Sequence, residues 1–170
     1  RFDGNGTEYF LIPELGHSHL VCDDLAVGFA LFGNGGMNTD YDKNPFARYG
    51  SRGKSYMNLE QLFIAPAVAW EFSPGQTIGL ALNLAYQRFE VKGLSAFAPF
   101  SSDPANLEHN DSDDSFGAGV RIGWMGEITD WLTLAASWQS QTYMEEFDKY
   151  AGLFAEQGDF DIPENYVLGA

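Results

Sequence analysis

Cys22 is the only cysteine in the 170 residues. A single thiol rules out an intramolecular disulfide and a thiolate metal cluster. Positive charge is also scarce: 9 Lys and Arg stand against 24 Asp and Glu, a formal net charge of −15. A nucleic-acid partner needs a basic face, so that class is excluded. No run of about 18 apolar residues occurs, so no transmembrane helix is available. His17 and His19 share a strand face, but no third ligand accompanies them, and no metal site is expected. Gly-x-Ser-x-Gly, a phosphate loop and a Ser/His/Asp order are all missing, so neither an enzyme nor a cofactor is expected. The opening residues, Arg1-Phe2-Asp3-Gly4-Asn5-Gly6, do not form a signal peptide, and the last four fall within a strand-like stretch. Residues 1–170 are therefore expected to be a single domain truncated at both ends.

What the chain does contain is alternation. Along residues 56–89, Leu62, Ile64, Pro66, Val68, Trp70 and Phe72 share one parity. Gln61, Phe63, Ala65, Ala67, Ala69 and Glu71 share the other. After Ser73-Pro74-Gly75-Gln76, Ile78, Leu80, Leu82, Leu84 and Tyr86 alternate with small and polar residues. Period two means strands. Both are far longer than the modal strand of about 5–6 residues and meet the roughly 9–11 residues that a tilted strand needs to cross a bilayer. Such strands hide their membrane signal, because every second residue faces the lumen. The mean hydropathy of −0.22 is therefore compatible with a membrane barrel. Aromatics at 15% and 19 glycines suit interface girdles, turns and crowded interiors.

The same pattern recurs over residues 25–32, 116–124 and 132–141, with weaker strands at 8–20 and 160–170. Gly33-Asn34-Gly35-Gly36 reads as a breaker that opens a long loop over 34–55. Further long loops are expected over 92–113 and 146–159. Connections thus go short, long, short, long. That is the rhythm of an outer-membrane barrel, with short periplasmic turns and long outer loops. The fold class is all-β: an antiparallel up-and-down transmembrane β-barrel, with about seven strands present.

Several stretches resemble the FadL/TodX family of outer-membrane transporters for long-chain fatty acids and hydrocarbons. They are Gly33-Asn34-Gly35-Gly36-Met37-Asn38-Thr39-Asp40-Tyr41, Leu59-Glu60-Gln61-Leu62-Phe63-Ile64-Ala65-Pro66, and Leu82-Asn83-Leu84-Ala85-Tyr86-Gln87-Arg88-Phe89-Glu90. Gly117-Ala118-Gly119-Val120-Arg121-Ile122-Gly123-Trp124 and Asp161-Ile162-Pro163-Glu164 add to them. The resemblance implies a 14-stranded barrel plugged by an N-terminal hatch. The hatch's Asn-Pro-Ala element does not occur in this chain. It also implies passive uptake across the bacterial outer membrane. Apolar cargo would be caught among the outer loops, pass through a lumenal pocket and leave through a gap in the wall. A general porin and a structural or surface-recognition barrel are the alternatives.

The candidate ligand path is Phe63, Phe89, Phe97 and Phe100, with Leu94. Packing of these rings against a plug or loop is the competing reading. Arg121 falls on the lumenal parity, where it would meet a ligand carboxylate, pair with an acid such as Glu71, or be solvated. Arg88 follows the lipid-facing parity and would reach lipopolysaccharide phosphate, or turn inward at a bulge to the ligand. Trp70, Trp124 and Trp131 border the short turns as interface aromatics. Asp111, Asp113 and Asp114 lack the spacing of a calcium loop and read as a solvated face. The expected partners are a long-chain fatty acid or other hydrophobic small molecule, lipopolysaccharide and membrane lipid.

Overall fold

The computed structural model describes residues 2–109 and 111–170. Eight antiparallel strands form one sheet: β1 (Glu14–Cys22), β2 (Leu25–Asp40), β3 (Tyr56–Ser73), β4 (Gln76–Lys92), β5 (Asp113–Thr129), β6 (Leu132–Gln139), β7 (Tyr143–Met144) and β8 (Asn165–Gly169). The order is β1-β2-β3-β4-β5-β6-β8, with β7 pairing on β5. The sheet is open, with β1 and β8 at its edges. Among the described residues no helix is long and apolar enough to cross a membrane, which says nothing of strands.

Register sorts the side chains into two faces. Ile64 sits opposite Leu84, Val68 opposite Leu80, and Leu80 opposite Ile122. These residues are exposed and form an outward apolar band. On β3 the band runs from Leu62 to Phe72 and then gives way to Glu60 and Asn58. On β4 it ends at Tyr86, before Arg88 and Glu90. On β5 it ends at Phe116, before Asp114. From Leu62 to Trp70 it covers about 27 Å along the strand, enough for the apolar belt of a barrel once tilted.

The turns sit at the other end. Pro74-Gly75 joins β3 to β4, with Gly75 at φ 70°, a conformation that glycine adopts without steric cost. Trp70 Nε1 donates to Asp24 Oδ2 at 3.3 Å, and Cys22 Sγ donates to Asp24 Oδ1 at 3.1 Å. These two bonds, Cys22 first, hold the Asp24 carboxyl below its ordinary range. The chain thereby ties a girdle tryptophan to the β1–β2 turn.

The last strand begins at Asn165 instead of residue 160, and three further boundaries differ from the sequence expectation, each for a local reason. The first strand starts at Glu14 instead of residue 8, because Pro13 cannot donate to the ladder. β2 does not stop at Gly33: it continues to Asp40 and absorbs Asn34 as a bulge, since Gly33 pairs with Leu62 and Gly35 with Gln61. The strand after Trp131 splits into β6 and β7. Arg121 pairs with Gln139, but Ala118 pairs with Tyr143, so one extra residue lies between.

Candidate functional site

Two breaks in the wall shape the molecule. The first is at β2. Gly33 N donates to Pro13 O at 3.0 Å, and there the β1 side of the ladder ends. The preceding chain rejoins β2 only where Asp40 N donates to Gly4 O and Gly6 N donates to Asp40 O, both at 2.9 Å. Between these points residues 7–12 stand off from residues 34–38. The space left is a cavity of about 790 Å³, lined by Tyr9, Phe10, Leu11, Ile12, Met37 and Leu59, among others. Inward-facing Met37 and Leu59 line it together with outward-facing Leu62 and Tyr86. The cavity is therefore a slot lined from both faces of the sheet, at the upper edge of the apolar band.

The second break is at β6–β7. Here the chain turns inward instead of leaving a gap. Thr142 and Ile162 exchange backbone hydrogen bonds at 2.9 and 3.1 Å, and both side chains are buried. The freed groups are taken up by Asp161: Oδ1 accepts from Met144 N at 2.6 Å and Oδ2 from Gln141 Nε2 at 2.5 Å. Ile162 lands on Phe63 and Ala85, beside Phe32 and Met144. Phe32 and Phe63 stack with ring centroids 5.5 Å apart.

The segment that follows, 145–161, folds over the concave face. Phe147 and Tyr150 are fully buried against Leu59, Phe89 and Val91, with Phe154 and Phe160 packed alongside. Tyr150 accepts from Val91 N at 3.3 Å and donates to Asp111 O at 2.8 Å. Burial pushes its phenol up to about 12. The inward face itself carries little charge. Among the described residues of β3–β5, Arg121 is the one inward charge between the Glu71 and Glu127 end and Asp113.

A long-stranded open sheet, an apolar outer band and a slotted wall describe part of a transport barrel, and the comparisons agree. The family model described as outer membrane protein transport protein (OMPP1/FadL/TodX) matches residues 3–159. The chain belongs to the FadL/TodX family. That places it in the bacterial outer membrane. The crystal structure of the Pseudomonas putida toluene transporter TodX is similar at TM-score 0.66 and 16% identity, over 86% of this chain and 44% of that one. The crystal structure of a Pseudomonas aeruginosa FadL homologue is similar at TM-score 0.61 and 16% identity, over 89% and 40%. At that identity the likeness speaks for the fold. The chain spans less than half the length of either structure. No curated protein is similar in sequence.

Within this FadL/TodX wall the six candidate residues lie apart. Phe63 and Phe89 both face inward and are buried, but in separate clusters, one under Ile162 and one under Phe147 and Tyr150. Arg121 faces inward, and Gln139 Oε1 accepts from its Nε at 3.2 Å and its Nη2 at 2.5 Å. Arg88 faces outward and exposed, with Nε donating to Ser112 Oγ at 3.0 Å. Phe97 packs edge-on against Phe46 at 5.0 Å in the loop 93–112, and Phe100 is 87% exposed. The acidic cluster is used locally: Asp114 accepts from Tyr86 Oη at 2.6 Å, and Asp113 from Lys149 N at 3.0 Å.

Sequence reasoning missed the slot residues Tyr9, Phe10, Leu11, Ile12 and Met37, and also Phe32 and Ile162. The signal for the slot was present: glycines inside an otherwise extended stretch mark a bulge. Phe32 shares the inward parity of Ala26, Gly28 and Ala30, so alternation alone identifies it.

Proposed function

We propose that this chain is wall and gate of a passive uptake route for hydrophobic compounds across the outer membrane. Cargo such as long-chain fatty acids or small hydrocarbons reaches the exposed aromatics of the outer loops, Tyr49, Phe97 and Phe100. It then passes the apolar inward face and leaves sideways through the β2 slot. The slot carries this reading, because its lining is mostly apolar and joins the inner face to the outer one. No energy source is needed, since burial of apolar surface drives capture at about 25 cal/mol per Å² and a gradient drives net flow. A route for polar solutes would call for a charged lumen, and the inward face of β3–β5 instead combines alanine, glycine and phenylalanine with the uncharged Gln61, Asn83, Gln87 and Ser115, Arg121 being, among the described residues, its one charge between the two ends.

The test is deletion of Asn34, which removes the extra residue and restores the β2–β3 register. Uptake of a labelled fatty acid and of a labelled aromatic hydrocarbon should fall together in cells that carry the folded variant. Unchanged uptake of both, with the barrel folded, would rule the slot out as the exit.

A further inference from the structure

Below the Phe63–Ile162 contact lies a polar point that nothing in the wall satisfies. Asn83 is fully buried on the inward face of β4, and neither its Nδ2 nor its Oδ1 has a hydrogen-bond partner. Its cross-strand neighbour is Gly119. Over Gly119 stands the Thr142 hydroxyl: a Cβ built on Gly119 would lie 2.8 Å from Thr142 Oγ1. Thr142 is fully buried, and its Oγ1 is likewise unpartnered. Neighbouring residues on a sheet face have Cα atoms about 4.5–5.5 Å apart, so the Asn83 amide and the Thr142 hydroxyl border one spot. Buried polar groups without partners cost roughly 1–3 kcal/mol each and call for an occupant.

The chemistry of the free atoms says what that occupant is. Asn83 offers two N–H donors and an oxygen acceptor, and the Thr142 hydroxyl can both give and take. A carboxylate only accepts, so it would leave the Asn83 oxygen without a partner. The nearby Arg121 guanidinium turns two of its donors, Nε and Nη2, to Gln139 Oε1. A hydroxyl both gives and takes a hydrogen bond, so it matches. The apolar half of a ligand also has a place beside this point, on Ala85 and the Phe32–Phe63 stack, where Ile162 now sits.

We propose that Asn83 and Thr142 form a subsite for an uncharged hydroxyl group on an otherwise apolar molecule, with the tail lying along Phe63 in place of Ile162. This rests on the transport reading above and narrows it to cargo such as alkanols or hydroxylated aromatics. Dodecanol, dodecane and dodecanoate are the probes, measured by equilibrium binding to the full-length protein in detergent. Dodecanol should bind about tenfold tighter than dodecane, the worth of one buried hydrogen bond, and tighter than dodecanoate. Asn83→Leu should erase that preference, and Thr142→Val should reduce it in part. The wild-type comparison needs no variant to fold. Equal binding of dodecanol and dodecane, with an ordered water only at Asn83, overturns the subsite but leaves the transport reading standing. Failure of all three probes to bind overturns both.

Discussion

The two breaks in the wall use one device to opposite ends. Each is a register shift of one residue, in β2 at Asn34 and in the β6–β7 strand after Gln139. Each faces a segment interrupted by proline, Pro13 in one case and Pro163 in the other, which removes a ladder donor. Yet the first break holds a slot and the second is packed shut. The difference lies in where the glycines stand. At β2 they are in the bulged strand itself, as Gly33, Gly35 and Gly36, so the bulge presents only the Asn34 side chain, which donates to Gln61 Oε1 at 3.4 Å. At β6–β7 they are in the neighbour, as Gly117 and Gly119 of β5, so the bulged chain can press inward onto bare backbone. Asp161 then satisfies the polar groups set free on that side.

That contrast can be broken at four points. The largest effect is expected from Gly119→Val. Its Cβ would meet Thr142 Oγ1 at 2.8 Å and Gln141 O at 3.1 Å, and overpacking against backbone costs about 3 kcal/mol. The inward chain should lift, seen as a lower urea midpoint and faster proteolysis within 145–161. Next comes Asp161→Ala, which leaves Met144 N without its acceptor, at about 2 kcal/mol. It should expose the same segment to protease while the β3–β4 hairpin stays protected from hydrogen exchange.

A milder probe is alkaline pH. Tyr150 ionises at 10.0 when exposed and at about 12 in the fold. Between those values the unfolded segment holds fewer protons than the folded one, so stability falls as pH rises from 10 toward 12 and is unaffected below 10. Protease sensitivity of 145–161 should climb across that window, and Tyr150→Phe should flatten the climb. The smallest effect is expected from Gly35→Ala. The added Cβ meets only Gln61 Oε1 at 3.4 Å, an ordinary contact, so the change should be about 0.5 kcal/mol or less. A large loss there would mean that the β2 break is as tightly packed as the other.

Much of this was legible in the chain. Period-two alternation in residues 56–89 fixes the β3–β4 hairpin, its faces and its Pro-Gly turn, because one face meets lipid and the other does not. The inward placement of Phe63 and Phe89 follows from the same parity. The slot was hidden because Gly33-Asn34-Gly35-Gly36 reads equally as a breaker or as a bulge. Only the partner strand decides, and it lies more than twenty residues away. The packing of Phe147, Tyr150 and Phe154 onto Phe89 was hidden for a different reason. Loop aromatics carry no period, and nothing local says which surface they will cover.

The most direct test is photolabelling of the full-length protein by an alkyl diazirine, followed by mapping of the labelled residues. If the open break is the passage, label should fall on Tyr9–Ile12 and Met37 in the slot and on the Phe32–Phe63 face. Trp138 and Tyr166, outside the closed break, should then be labelled no more than the rest of the lipid-facing band. Preferential labelling of Trp138 and Tyr166, with a clean slot, would contradict it.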